Sequence, residues 1–390
     1  MDVPVSEINK NMTEETTGRV ASTYASSRLK LGMFTVGLLT VSSAAALWFG
    51  AGSHITRLIS SLGLPDIMVF PAVALIYLLV MAPCDVFGGM LLPRKFRKKP
   101  HTTLLKYLKG GIIHACLITA AWVSIHLAGE AAGLLGIAVV GFTLCLVALA
   151  TQDHLARLIG SQKEIKNFNI DLKSTTEQVS WIQAGDTAFS GSTVGIPGAE
   201  KILIPTSWIN ELGTEGIEAL LRRRQSIIKK GWRNRGVMVS LVWIISSLIL
   251  SAIMVGVPDG STTSTLNLIF CSTILHFIGL LVLPTPTRNM TYTIDQDMKM
   301  TLENSAIFES WINNFSRLTD GEESRSPWIE RIFHPLPSVS NRLSGKTPPF
   351  AAWNATRMML FFSIFSGGLL SRAVHCNVGR PDLWIIAPTD

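Results

Sequence analysis

Residues 236–257 read GVMVSLVWIISSLILSAIMVGV, and these 22 residues contain no Asp, Glu, Lys or Arg. A helix needs about 20 predominantly apolar residues to cross the hydrocarbon core of a bilayer. The stretch therefore predicts a transmembrane helix. The whole chain has the same character, since its mean hydropathy is +0.36 and charged residues make up 16% of it, against about 25% in soluble domains. This composition excludes a disordered chain, a nucleic-acid-binding tail protein and an ordinary cytosolic enzyme.

Apolar stretches without internal charge predict six membrane spans. They are roughly Leu31–Gly52, Ile67–Cys84, Gly110–Leu127, Ala131–Thr151, Gly236–Val257 and Thr265–Pro284. A seventh apolar run, Met358–Leu370, lies between Arg357 and Arg372 and is short for a span. Either it crosses with both arginines extended to the interfaces, or it forms an interfacial or re-entrant helix.

The distribution of basic residues predicts the orientation of these spans. Seven Lys and Arg lie between Arg94 and Lys109, and seven more between Arg222 and Arg235, whereas the other linkers between consecutive spans carry only Arg57. Short cytoplasmic loops are enriched in Lys and Arg. Both clusters fall on one side if the N-terminus is cytoplasmic. We therefore expect an integral membrane protein, in a bacterial inner membrane, with contacts to lipid and none to nucleic acid.

The expected fold class is a mainly α, polytopic membrane protein with a small cytoplasmic α+β domain. Its six spans become seven if Met358–Leu370 also crosses. The chain divides into a cytoplasmic tail (1–30), a four-helix membrane region (31–151), the two halves of the cytoplasmic domain (156–235 and 285–350), a membrane hairpin between them (236–284), and a short apolar helix with a C-terminal tail (351–390).

Motifs for metal or nucleophilic chemistry are absent from the sequence. No two of the eight histidines are spaced i, i+4, as a helical metal-binding pair requires, and the five cysteines form no CxxC pair. Asp85, the one acid close to an apolar stretch, is expected at the membrane interface. An enzyme of another class would need a site built from residues such as Asp85, His114, His126 and His276.

The stretch Ile217-Glu-Ala-Leu-Leu-Arg-Arg-Arg-Gln-Ser-Ile-Ile-Lys-Lys-Gly resembles a helix of the integral-membrane zinc metallopeptidases that include HtpX and the CAAX prenyl endopeptidase. In that family the helix reads approximately IEAVLAHEIGHIKKG. Upstream, 186–205 is similar to the family's substrate-edge strand and hairpin. Spans five and six are placed like the family's membrane hairpin. Downstream, 287–295 and His334-Pro-Leu-Pro-Ser-Val-Ser-Asn-Arg-Leu are similar to its SRxxEYxAD and HPxxxxRI elements.

This sequence does not keep the catalytic residues of the family. The resemblance places the first zinc histidine on Arg223, the general-base glutamate on Arg224, the second histidine on Ile227 and the third ligand on Thr291, while Asp295 is kept. A catalytic zinc needs three protein ligands and a water, and arginine offers no acceptor. We therefore expect no cofactor and no enzymatic activity. Arg223 or Arg224 is expected either to pair with Asp295 in place of the metal or to face water and lipid head groups.

The resulting functional expectation is a catalytically inactive, protease-like subunit that binds or scaffolds within a membrane complex. An extended polypeptide would add to the edge at Ala188, Phe189, Ser190 and Gly191, because strand addition needs only backbone groups. Other subunits would contact Asn377, Arg380 and Trp384 of the tail. A membrane enzyme with a non-zinc site and a regulator that presents clients to a true protease remain as alternatives, and a transporter is disfavoured.

Overall fold

Five long apolar helices form the membrane region of the computed structural model, which describes residues 23–165, 178–257, 260–301, 305–346, 353–365, 370–374 and 376–386. Each of these helices is long and apolar enough to cross a bilayer. They are α1 (Tyr24–Trp48), α3 (Val69–Val86), α5 (Leu104–Gly160), α7 (Trp232–Val255) and α8 (Thr262–Val282). A polytopic membrane protein is thereby confirmed.

The 57-residue helix α5 contains the third and fourth predicted spans and doubles back on itself. Its helical dihedrals break at Ala132 and at Gly133, where φ is +59° and ψ is −139°. Residues other than glycine rarely adopt this conformation. The two ends of α5 then meet, since Lys109 Nζ donates to Ser161 Oγ at 3.2 Å. The turn lies just after the predicted linker (128–130), in the first residues of the predicted fourth span.

Shorter segments link the membrane helices. Helix α2 (Ala51–Ser61) and a 3₁₀ turn (Asp66–Met68) follow α1, and a π-helical segment (Phe87–Leu91) joins α3 to α4 (Leu92–Lys95). A side chain at Gly89 in the π segment would collide with the backbone carbonyl of Gly379. This glycine therefore allows the C-terminal segment to pack directly against the backbone at the end of α3.

The extramembrane domain contains a four-stranded sheet in the order β1-β2-β4-β3. The strands are β1 (Lys163–Ile165), β2 (Gln178–Gln183), β3 (Ser192–Val194) and β4 (Lys201–Pro205). Strand β2 runs parallel to β4, with Val179 opposite Ile202, and β3 runs antiparallel to β4, with Thr193 opposite Ile202. Strand β3 is therefore at one edge of the sheet.

Helices complete this domain: α6 (Ser207–Lys229), α9 (Pro284–Thr301), α10 (Ser305–Leu318), α11 (Pro327–Phe333) and α12 (Val339–Leu343). Ile217, Leu220 and Leu221 lie on the inner face of α6 and pack in one core with Ile294 of α9 and Trp311 of α10. Burying each large apolar side chain stabilises this core by about 1.5–3 kcal/mol.

The apolar run Met358–Leu370 forms helix α13 (Thr356–Phe362) and a 3₁₀ turn (Ser363–Phe365); residues 366–369 lie outside the described residues. At about 1.5 Å per residue, the apolar segment Thr356–Phe365 is too short to span a bilayer alone. A 3₁₀ turn (Pro381–Leu383) and buried loops follow.

Candidate functional site

The positions that resemble a zinc site lie on the buried face of α6. Arg223, Arg224 and Ile227 are all almost fully buried, although two of them carry a permanent charge. Helix α6 packs here against α9 and α10 on one side and against β4 on the other. A buried guanidinium must be paired and hydrogen-bonded to persist. The partners of these arginines therefore define the chemistry of the site.

Arg223 forms an ion pair with Asp295 of α9. The same carboxylate also accepts two hydrogen bonds from Arg342 of α12, each 2.8 Å long, from Nε and Nη2. Both guanidinium carbons lie 5.5 Å from the centre of the Trp311 ring, within the range of a cation–π interaction. This Arg223–Asp295–Arg342 cluster joins α6, α9 and α12, and it contains the arginine–Asp295 pairing that the sequence analysis described.

Arg224 has a different environment. Its guanidinium donates to the backbone carbonyls of Leu203 in β4 and Ser190 in the preceding hairpin, both at 2.7 Å. Arginine presents several donors in one plane, so it can hold two chain segments at once. Arg224 therefore fixes the position of the hairpin relative to α6, and it does not face water or lipid head groups.

The side chains at the zinc-like positions do not fit a zinc ion. Zinc takes nitrogen, sulfur and carboxylate ligands, but Arg223 and Arg224 are donors only, Ile227 is apolar, and the hydroxyl of Thr291 donates to Thr287 O at 3.3 Å. Asp295, the remaining acceptor, is engaged by two arginines. Within the described ranges, no three His, Cys, Asp or Glu side chains gather to hold a metal ion. That the positions derive from a zinc site stays a prediction.

The predicted polypeptide-binding edge lies a few residues before the strand that the structure places at the edge. Ala188, Phe189, Ser190 and Gly191 are buried, so they cannot present a free edge, and this prediction is corrected. The edge position belongs to β3, where Ser192 and Thr193 are half-buried and Val194 is buried.

Arg233 of α7 covers the outer side of β3. It donates to Thr193 O at 3.3 Å and to Gly195 O at 2.5 Å, and its Nη1 lies 3.6 Å from Glu200. A small cavity of about 40 Å³ lies beside this strand and is lined also by Ile227 and by Ile385 from the C-terminal segment.

The predicted partner contacts of the tail are also internal. Asn377, Arg380 and Trp384 are each about 2% exposed. The Asn377 side chain donates to Ser371 O at 2.6 Å, and Trp384 Nε1 donates to Asn377 O at 2.8 Å. These side chains hold the C-terminal segment against its own chain, so the predicted contacts with another subunit are corrected.

Arg380 is the centre of a buried polar cluster outside the membrane helices. Its Nε donates to Asp186 Oδ2 at 2.6 Å and its Nη1 to Asp320 at 3.0 Å. His101 Nδ1 lies 3.3 Å from the same Asp186, and its Nε2 bonds to the Tyr24 hydroxyl. Burial alone would raise the pKa of Asp186, but Arg380 and His101 outweigh it and hold that pKa well below its usual value. Burial, together with Arg380, lowers the pKa of His101, and the nearby Asp186 opposes this shift.

The pKa of Asp382 is shifted in the opposite direction to that of Asp186. Its Oδ2 accepts from Lys106 Nζ at 2.7 Å and from the backbone N–H of Asp186 at 2.9 Å, while its Oδ1 has no partner in the described part of the chain. Burial raises the pKa of Asp382 to about 6, and Lys106 only partly offsets the effect. This carboxyl therefore titrates just below neutral pH.

A second charged cluster lies within the membrane region. Asp85, expected at the interface, is fully buried and accepts from Arg372 Nη2 at 2.6 Å and from the backbone N–H of Gly379 at 2.6 Å. The guanidinium of Arg372 lies 3.7 Å from the Trp384 ring centre, and that ring is 5.9 Å from His114. Asp85 and His114 thus share this Arg372 cluster.

The other two histidines proposed for a membrane site lie elsewhere. His126 Nδ1 is hydrogen-bonded to Thr265 Oγ1 at 3.0 Å, and His276 is buried in α8. The four residues therefore do not form one site. The sequence analysis missed the counterions Arg342, Arg372 and Arg380. Arg342 was signalled by the HPxxxxRI-like element, but the pairs of Arg372 and Arg380 bridge 287 and 194 residues and have no local signal.

Comparison with known proteins supports the fold. No protein-family model matches the chain, and neither does any curated protein. Among solved structures, the crystal structure of S. mikatae Ste24p is similar, with a TM-score of 0.64 and 13% identity over 83% of this chain and 86% of that chain. At this identity the likeness shows the fold. The polytopic, metallopeptidase-like architecture expected from the sequence is thereby supported.

This likeness also corrects one expectation. The missing zinc ligands led to the prediction that the chain is not an enzyme. Ste24p is a metalloprotease, and the likeness of the fold to that of Ste24p contradicts this prediction. The side chains at the zinc-like positions do not suit a zinc ion. This feature concerns one part of the fold and does not decide whether the protein has an activity.

Proposed function

We propose that this protein binds and positions other chains in a membrane complex, as a scaffolding or structural subunit that holds an extended polypeptide along β3. The observation that carries the proposal is the Arg223–Asp295–Arg342 cluster. It connects three helices at the position where the related peptidases would hold a metal. Such a cluster fixes the relative position of α6 and α9 and leaves the sheet edge as a binding surface.

Strand β3 has the geometry that strand addition requires. In an antiparallel ladder, the N–H and C=O of one residue point to the same side. The carbonyl of Thr193 accepts from Arg233 on the outer side of the sheet, so the N–H of Thr193 also points outward. An incoming strand would bond to this N–H and compete with Arg233 for the carbonyl. Polypeptide binding is therefore expected to be reversible.

The experiment combines cross-linking with two substitutions at Thr193. A photoreactive amino acid replaces Ile196, which is about half exposed beside β3, and adducts are identified after purification in a mild detergent. Thr193→Pro removes the outward N–H, whereas Thr193→Val keeps it and serves as the matched control. We expect a polypeptide adduct that is lost in Thr193→Pro and retained in Thr193→Val. Equal adduct formation in all three proteins would contradict strand addition.

The proposal includes an orientation in which the N-terminus and the extramembrane domain face the cytoplasm of a bacterial inner membrane. The two basic clusters, which flank α4 and α7, support it. Single cysteines placed at Lys98 and at Arg57 should react differently with an impermeant thiol reagent applied to intact cells. We expect the reagent to label only the cysteine that replaces Arg57. Labelling of only the cysteine that replaces Lys98 would show the opposite orientation.

A second candidate function is an enzyme with a site in the membrane region, a possibility favoured by the Arg372 cluster. Asp85 and His114 are buried together there, and ionisable residues inside a membrane are often functional. The protein would be incubated with a library of peptides and lipidated peptides and cleavage measured by mass spectrometry. Activity that is lost in His114→Gln, with folding unchanged, would support this candidate; activity unaffected by that substitution would refute it.

A further inference from the structure

An apolar cavity of about 250 Å³ lies between α1, α8 and the extramembrane domain. One wall is the face of α1 that carries Leu29, Met33 and Val36. The opposite wall is the end of α8 at Phe277 and Leu281, and Ile332 of α11 and Leu360 of α13 close the remaining sides. The lining is almost entirely hydrocarbon, so water gains few hydrogen bonds inside it.

The rim of this cavity faces the bilayer. Met33 and Leu281 line the cavity and are both 38% exposed, and they lie on α1 and α8, two of the apolar helices that are long enough to span. The cavity lies near the start of α1 and the end of α8, hence close to one membrane face. Its opening therefore meets lipid acyl chains in one leaflet.

Arg357 brings a positive charge to the same cavity. Its Nη1 donates to the Cys376 sulfur at 2.9 Å, a weak acceptor, and its Nε is buried without a hydrogen-bond partner in the described ranges. No carboxylate among the described residues forms an ion pair with it. A guanidinium in apolar surroundings is costly to desolvate unless an anion compensates it. The cavity thus combines an acyl-sized apolar space with an uncompensated cation.

We propose that this cavity binds an anionic acyl lipid, with one hydrocarbon chain between α1 and α8 and the anionic group on Arg357. An acyl chain that arrives from the bilayer is already out of water, so its burial in the cavity gains little free energy. Selectivity therefore comes from the charge-assisted hydrogen bond at Arg357. A fatty-acid carboxylate and a phospholipid phosphate share this chemistry.

Gly37 provides a way to close the cavity without disturbing the fold. It lines the cavity on α1, and a Cβ added there would meet no heavy atom within 4 Å. Leucine is a much better helix former than glycine, so Gly37→Leu should leave α1 intact while its side chain occupies the acyl space. Arg357→Gln tests the charge separately, and Arg331→Gln removes an exposed arginine of α11 as its matched control.

The experiment is a titration followed by native mass spectrometry. Oleate, phosphatidylglycerol and zwitterionic phosphatidylcholine are added in turn to the full-length protein in detergent micelles, and the bound lipid is counted. Wild type and Arg331→Gln should bind one anionic lipid. Arg357→Gln should bind it about tenfold more weakly, with phosphatidylcholine binding unchanged. Gly37→Leu should lose all specific binding.

Two control measurements keep the outcomes distinct. The melting temperature of each variant without lipid reports folding, and the lipid-induced rise in melting temperature must follow the mass-spectrometric result. Preference for oleate identifies a fatty acid as the ligand, and preference for phosphatidylglycerol a phospholipid; both support the proposal. Equal binding by wild type and Gly37→Leu, or an unchanged affinity of Arg357→Gln for both anionic lipids, overturns it.

Discussion

Arg223 of α6 forms an ion pair with Asp295 of α9, and both side chains are almost completely buried. The carboxylate receives a second arginine, Arg342, so the cluster carries one more positive than negative charge. Removing the carboxylate would take away the anion that these two buried guanidinium groups share. The stability of the extramembrane domain should therefore depend strongly on this one residue.

Asp295→Ala should lower the free energy of unfolding by about 3–5 kcal/mol, the cost of leaving a buried charge unpaired. Unfolding of the purified protein in detergent, followed by circular dichroism, measures the loss. Glu211→Ala is the control, because the Glu211–Arg317 pair is exposed and should contribute no more than about 1 kcal/mol. Similar losses in both variants would show that the buried cluster has no special role.

Arg380→Gln should release the C-terminal segment. The substitution removes the guanidinium from the buried Asp186, which keeps His101 and the Ala188 N–H beside it, and we expect a loss of about 3–5 kcal/mol in stability. Cys376, now buried, should also react faster with a thiol reagent. Arg331→Gln, at an exposed position, should change neither quantity. Unchanged Cys376 reactivity in Arg380→Gln would contradict the anchoring role of the arginine.

The titration of Asp382 predicts a pH dependence of stability. Its folded pKa of about 6 lies above the unfolded value of about 3.9, so the folded state binds more protons between these pH values. The stability from this group is therefore present at low pH and lost as the pH rises through 6. Relative to Asp382→Asn, wild type should gain about 1 kcal/mol at pH 5 compared with pH 7. A constant difference, or one of opposite sign, would refute the raised pKa.

The turn within α5 should tolerate only glycine. Gly133 has a positive φ, while a Cβ there would meet no atom closer than 3.9 Å. The cost of Gly133→Ala is thus conformational and should be about 1–3 kcal/mol. Gly37→Ala, at a helical position with open space, should be neutral or stabilising. Thermal unfolding of the two variants compares them, and equal melting temperatures would mean that the hairpin turn is not strained.

The sequence predicted those features that depend on local composition. Hydropathy located the membrane helices, and the break between the third and fourth spans falls near Gly133, because a continuous apolar helix and a glycine turn are both local properties. The arginine–Asp295 pairing was foreseen because a family resemblance had already aligned two distant segments. The rest of the Asp295 environment, above all Arg342, emerged only from the packing of α12.

Other features depend on long-range packing, and the sequence did not predict them. Asp85 appeared to be an interface residue because its counterion, Arg372, lies 287 positions away. The tail residues Asn377, Arg380 and Trp384 had the composition of a contact surface, but the contact is with their own chain. The edge strand was misplaced by a few residues because β3 has only three residues and little periodicity to mark it.

We propose that arginines and Asp295 occupy the position that a zinc ion holds in the peptidases that the sequence resembles. Elemental analysis of the protein, purified after growth with added zinc and dialysed without chelator, tests it most directly. We predict far less than one zinc per chain, with the same value in wild type and in Asp295→Ala. One zinc per wild-type chain that is lost in Asp295→Ala would contradict the claim.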